Sequence, residues 1–162
     1  MKEVRKKKLD ISFRIYGIAQ FLQIIFFILC LILVFLIAQQ EHMSFNELMT
    51  LSPVSNMIYL VAMMNAICFI ELAYFKKMLK ENKDTELVFV NVAIVALAEF
   101  MTLNMPIALC LVYFIYSTMK KNHKKFKDQL IYVKNNKQYL VPVINFVVLM
   151  FATLICYKLL ML

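Results

Sequence analysis

Long apolar runs alternate along this chain with short polar segments, and within each run the apolar residues are nearly continuous. Ile15 to Ala38 is interrupted only by Gln20 and Gln23, and further blocks cover Val54 to Phe75, Leu87 to Tyr116 and Tyr139 to Leu162. A helix crosses the hydrocarbon core of a bilayer with about 20 residues. The pattern therefore predicts an all-α fold, a polytopic transmembrane helical bundle of four or five membrane segments in one integral membrane domain over 1–162. Its expected parts are a basic cytoplasmic tail (1–14), a first span (15–38), an outside loop (39–52), a second span (53–75), a cytoplasmic loop (76–86), a long block (87–119), a basic amphipathic loop (120–138) and a last span (139–162).

The third block leaves two alternatives open. As one helix, Leu87 to Tyr116 would be about 45 Å long against a core of about 30 Å. It is then either a single helix, tilted and kinked at Pro106, or a hairpin turning at Asn104-Met105-Pro106, since proline disfavours helical geometry in the residue before it. Charge favours the hairpin. The tail carries Lys2, Arg5, Lys6, Lys7, Lys8 and Arg14, and the second polar loop carries Lys76, Lys77, Lys80 and Lys83. The segment after the third block carries Lys120, Lys121, Lys124, Lys125, Lys127, Lys134 and Lys137. Two crossings place all of these, every basic residue except Lys158, on the cytoplasmic side, as the positive-inside rule expects. The loop at 39–52 has no lysine or arginine and lies outside.

Composition agrees: 63% of the 162 residues are hydrophobic, against roughly half in soluble domains. The N-terminal basic residues resemble the start of a secretory signal. The apolar run is too long for one, however, and Ala38-Gln39-Gln40-Glu41 lacks a small-residue cleavage pattern, so a retained first span is expected. The net charge of +8 flanks apolar spans, which points to the anionic inner leaflet as a partner and not to nucleic acid. Lys120, Lys121, Lys124, Lys125 and Lys127 form the expected lipid-surface cluster. Met119, Phe126, Leu130 and Val133 recur near them at spacings of an interfacial helix. All basic residues but Arg5 and Arg14 are lysine, and Ile, Asn and Phe are frequent, a usage that suggests an AT-rich bacterial genome and a plasma-membrane location.

The polar residues inside the blocks are the candidate functional and packing groups. Tyr16, Gln23 and Cys30 recur every seven residues with Gln20 beside them, a stripe expected to face other helices because an amide exposed to lipid is unsatisfied. Ala62, Ala66 and Ala73 form a small-residue seam with Asn65 beside it. Glu71 and Glu99 are the acidic residues within blocks, and intramembrane ionisable groups are functional candidates. Glu71 is expected to lie shallow enough for water or a lysine to reach it. Asn91, Glu99 and Thr102 share a sector of roughly 80° on one helix. In the single-helix arrangement Glu99 lies near the bilayer centre, and in the hairpin it lies near the outer turn within reach of water. Tyr139 and Tyr157 are expected interface anchors.

Catalytic chemistry is hard to place. Cys30, Cys68, Cys110 and Cys156 fall one to a block with no paired spacing and no nearby histidines, so they read as small buried hydrophobes. No paired histidines, Ser/His set or acidic metal motif is present, so neither an enzyme nor a cofactor is expected. Gly17 is the single glycine, where an average chain of this length has about 11. Carriers rely on glycine for broken helices and tight crossings, which argues for a plain bundle. Two functions follow: an accessory, binding or immunity-type subunit that associates with other membrane proteins or itself, or a small ion or proton channel or transporter using Glu99 with Asn91 and Thr102.

Overall fold

A computed structural model describes residues 2–81, 84–122, 126–135 and 140–160; side chains are described for 11–81, 84–120, 126–135, 140–155 and 158. Among these residues there are seven helices and no strand: α1 Lys2–Gln40, α2 Phe45–Leu51, α3 Pro53–Lys80, α4 Thr85–Met101, α5 Met105–Asn122, α6 Phe126–Asn135 and α7 Leu140–Leu160. Two of them, α1 through Ile11–Gln40 and α3, are long and apolar enough to cross a membrane, or three if α6 and α7 count as one broken span.

The segment between α1 and α3 is ordered by local capping. Ser44 caps α2 and exchanges hydrogen bonds with Glu47 in a capping box. Ser52 closes α2 and caps α3, whose first residue is Pro53, where a missing N–H costs nothing.

The long block is two helices, which removes the kinked single-helix alternative. α4 ends in a Schellman motif: Leu103 N–H donates to Phe100 O at 3.1 Å and Asn104 N–H to Glu99 O at 2.8 Å. Leu103 adopts the left-handed conformation this motif requires (φ 62°). The turn therefore lies at Thr102–Asn104, slightly before the expected Asn104-Pro106. Pro106 sits in the first turn of α5, where the ring is tolerated.

Four helices form a closed ring in which α1 packs on α3 and α5, and α4 packs on α5 and α3; α7 lies against α3 and α4, and α6 against α4. α4 is buried on most sides, with Val88, Val92 and Val95 inaccessible. α5 contributes Ile107, Leu111 and Phe114, spaced four and three apart as one helical stripe. Phe114 stands edge-on to Tyr16 at 4.7 Å and Phe13 at 6.2 Å, and stacks on Phe89 at 6.1 Å, joining α1, α4 and α5.

The small-residue seam holds only in part. Ala62 is buried, Ala66 half-buried and Ala73 exposed. The buried stripe of α3 runs Ala62, Asn65, Cys68, Leu72, Phe75, Leu79, in steps of three and four that follow the supercoil repeat near 3.5 residues. Ala73 follows the straight-helix period and is carried off the contact face. On α6, Val133 packs with Leu87 and Val90 of α4, while Phe126 and Leu130 are exposed and Met119 is buried at the end of α5. The four residues of the expected apolar stripe are thus split between protein and surroundings. The outward faces of the bundle are strongly apolar, as with Ile28, Leu29, Ile32 and Phe35 on α1 and Val141, Ile144, Val148 and Phe151 on α7.

Candidate functional site: a buried carboxylate cluster

Polar side chains gather inside the bundle, the reverse of a soluble core. At one end stands Glu99 of α4, only 2% exposed, so the expectation that a hairpin leaves it within reach of water is overturned. Burial follows from its position, one turn before the end of α4 on the face toward α1 and α3. Gln23 Nε2 donates to its Oε1 at 2.9 Å, and Asn104 Nδ2 donates to its Oε2 at 2.8 Å. The buried Cys68 thiol lies beside this carboxylate within the apolar core. Asn104 also reaches Asn65 Oδ1 at 3.4 Å, and Asn65 spends its own N–H on Val61 O at 2.9 Å. The Schellman turn makes this possible, since the same backbone reversal that starts α5 brings Asn104 back over Glu99.

Thr102 does not join Asn91 and Glu99 in one lining. It lies in the turn, its hydroxyl bonded back to Ala98 O and Glu99 O, and it meets the cluster only through Asn104 Nδ2 at 3.4 Å. Asn91 belongs to a second group further along α4. Its Oδ1 accepts from Asn145 Nδ2 of α7 at 3.2 Å, and Asn145 also lies beside Glu71 of α3. The two groups meet at Cys68, which feels the charge of both Glu99 and Glu71.

Beyond Glu71, the Tyr16 hydroxyl donates to Leu72 O at 2.7 Å and Lys76 Nζ to Gln20 Oε1 at 2.9 Å. The expected lysine near Glu71 is thus turned to a glutamine of α1. A Cβ on Gly17 would stand 3.6 Å from Lys76 Nζ, an ordinary contact, so the lone glycine is not required there. Gln20 and Gln23 are buried, whereas Cys30 is half-buried. Lys120 is exposed over the Tyr116 ring at 5.6 Å and Lys127 is exposed. The side chains of Lys121, Lys124, Lys125, Tyr139, Tyr157 and Cys156 lie outside the described residues.

Sequence reasoning passed over Asn145. The signal was present: a lone amide in an apolar run, the same feature that marked Asn65. Among the described residues no group of three or more His, Cys, Asp or Glu could hold a metal ion. An apolar groove of about 570 Å³ runs between α1 and α5, lined by Ile15, Ile18, Leu109, Val112, Tyr113 and Tyr116, on the outside of the bundle and away from the carboxylates. Comparison with models of protein families, with curated proteins and with solved structures returns no match.

Proposed function

We propose that this chain is a multi-pass plasma-membrane protein with its N-terminus in the cytoplasm, acting as a non-enzymatic accessory or binding subunit of other membrane components. On this reading α1, α3, the α4–α5 hairpin and α7 are membrane segments, and the lysine-rich segments face the anionic inner leaflet of a bacterial cell. The observation that carries it is the network in which Gln23, Asn104 and Asn65 surround Glu99 beneath an apolar exterior; both Glu99 oxygens are partnered, although the Gln23 Oε1 is not. The polar groups there are used to hold helices together, as interhelical hydrogen bonds do in membranes. α4 and α5, at 17 and 18 residues, reach about 26 Å each and suit a hairpin that slightly thins the bilayer.

Two measurements test the reading. A single cysteine replacing Asn135 in a cysteine-free background should resist an impermeant reagent in intact cells and react after lysis; labelling before lysis overturns the topology. In-cell crosslinking should capture a defined membrane partner, and Glu99→Gln should leave that capture intact.

The second reading, a small ion or proton conductor, is favoured by one feature: a carboxylate 2% exposed inside the bundle, a placement associated with transport. It predicts flux in proteoliposomes that Glu99→Gln abolishes. Reconstituted protein without flux removes it.

A further inference from the structure

The surroundings of Glu71 are short of hydrogen-bond donors. Asn145, 8% exposed, gives its amide to Asn91 Oδ1 at 3.2 Å and lies beside Glu71. The Asn91 amide is spent on Leu87 O at 2.9 Å. Tyr16, close enough to feel the Glu71 charge, gives its hydroxyl to Leu72 O, and Lys76, five residues further along α3, gives its Nζ to Gln20 Oε1. Two buried oxygens on the touching pair, Glu71 Oε2 and Asn145 Oδ1, have no hydrogen-bond partner. A buried acceptor without a donor is costly, and native proteins rarely keep one without a ligand or functional reason. Here there are two, one of them on a carboxylate.

We propose that Glu71 and Asn145 bind a single monovalent cation, a proton or Na⁺, at the junction of α3, α4 and α7. A proton on Glu71 would supply a donor for a neighbouring oxygen. Sodium would be held by the same oxygens directly. Among the described residues of α7, Asn145 is the polar link to the bundle: the other buried polar residue there, Thr153, bonds its own Met150 O, and the rest of the contact stripe is apolar, with Pro142, Leu149 and Ala152. Cation occupancy therefore fastens α7 in place. The titratable groups facing Glu71 are Tyr16 of α1, Cys68 of α3 and, across Cys68, Glu99 of α4; residues 140–155 of α7 contribute none.

The test is thermal unfolding of the full chain in detergent, with NaCl replaced stepwise by choline chloride at fixed ionic strength, at several pH values between 5 and 9. A sodium site gives a saturable rise in Tm of roughly 5 °C or more at a hundredfold excess over Kd, absent with choline. A proton site gives no sodium response and a Tm that falls as pH rises. Glu71→Gln removes whichever response the wild type shows, Asn145→Ala weakens it, and Glu41→Gln, a change in the exposed outer loop, retains it. A wild type indifferent to both sodium and pH overturns the proposal even if Glu71→Gln fails to fold, as does a response that survives Glu71→Gln. The site is independent of partner binding: a cation-responsive protein that captures no partner sustains this proposal and removes the accessory reading.

Discussion

Glu99 and Glu71 are the two acidic residues inside the apolar blocks, and the bundle treats them differently. Glu99 receives donors on both oxygens, from Gln23 of α1 and from Asn104 beyond the α4 turn, with Cys68 of α3 beside them. Glu71 has Asn145 of α7 beside it and keeps an oxygen without a partner. The difference is one of position. Glu99 lies one turn before a helix end, so the chain itself folds a donor back onto it. Glu71 lies in the middle of α3, where only neighbouring helices can supply donors, and α7 offers one amide to two acceptors. A carboxylate at a helix end is easily made structural, whereas one in mid-helix retains the capacity to take up something else.

The largest effect is expected at the Tyr16 end of the bundle, nearer to Glu71 than to Glu99. Phe114→Ala removes the ring that joins α1, α4 and α5. In soluble cores such a change costs about 3–5 kcal/mol; for a bundle in lipid, as proposed above, the transfer contribution would be largely absent and the lost packing would remain, so about 3 kcal/mol is expected. Unfolding in detergent with rising denaturant measures it, and the cation response assigned to Glu71 should survive. Gln23→Leu comes next. It leaves Glu99 Oε1 without its amide donor and costs about 1–3 kcal/mol. Asn145→Leu, on a site already short of donors, costs less, about 0.6 kcal/mol, the average for an interhelical hydrogen bond in a membrane. If the two costs are equal, the contrast between the carboxylates is wrong.

Leu103→Gly acts on the turn that makes Glu99 structural, and here a gain is expected. Leu103 holds a left-handed conformation that costs a side-chain-bearing residue about 1–2 kcal/mol and glycine almost nothing. Glycine loses more backbone entropy on folding, so the net stabilisation is about 0.5–1 kcal/mol. Leu103 is also 75% exposed. Destabilisation by the same substitution would show that its side chain anchors the turn in lipid, and that the strain is retained for this contact.

Much of the fold was legible because the bilayer constraint acts on long runs. The existence of α1 and α3, the start of α3, the break in the third block and the helix within 120–138 follow from run length, proline and lysine spacing, but α1 begins already at Lys2 and α3 continues to Lys80, through segments expected to be a tail and a loop. Legibility failed where tertiary geometry decides. The straight-helix period placed Ala73 on the seam, but the buried stripe of α3 passes through Leu72 and Phe75 and leaves Ala73 exposed. Proximity to a turn suggested that Glu99 would be wet, but the Schellman reversal carried Asn104 over it and closed the site. Asn91 and Thr102 share a helical sector with Glu99, yet α4 ends before Thr102, and Asn91 is claimed by α7. None of these outcomes can be read from one helix alone, because each depends on which neighbour arrives at that level of the bundle.

The smallest effect concerns a third carboxylate, which separates donor supply from burial. Glu47 is exposed and receives the Ser44 backbone N–H at 2.8 Å and hydroxyl at 2.7 Å on one oxygen. It thus has donors much as Glu99 does, but in water. The side-chain and backbone hydrogen bonds from Ser44 hold its pKa below the ordinary carboxylate value. Because the folded value is lowered, the capping box stabilises α2 fully above the ordinary carboxylate range and loses that contribution as pH falls through it. The protection of the Leu48 and Thr50 amides, measured against their intrinsic exchange at each pH, should therefore fall on acidification in the wild type. Ser44→Ala should leave that protection low at neutral pH and largely indifferent to acid, with the rest of the bundle unaffected. Solvent screening keeps this effect local and small. Acidification that loosened the whole bundle in Ser44→Ala as well would place the acid-sensitive carboxylate inside, at Glu71 or Glu99, and end the view that the outer cap titrates on its own.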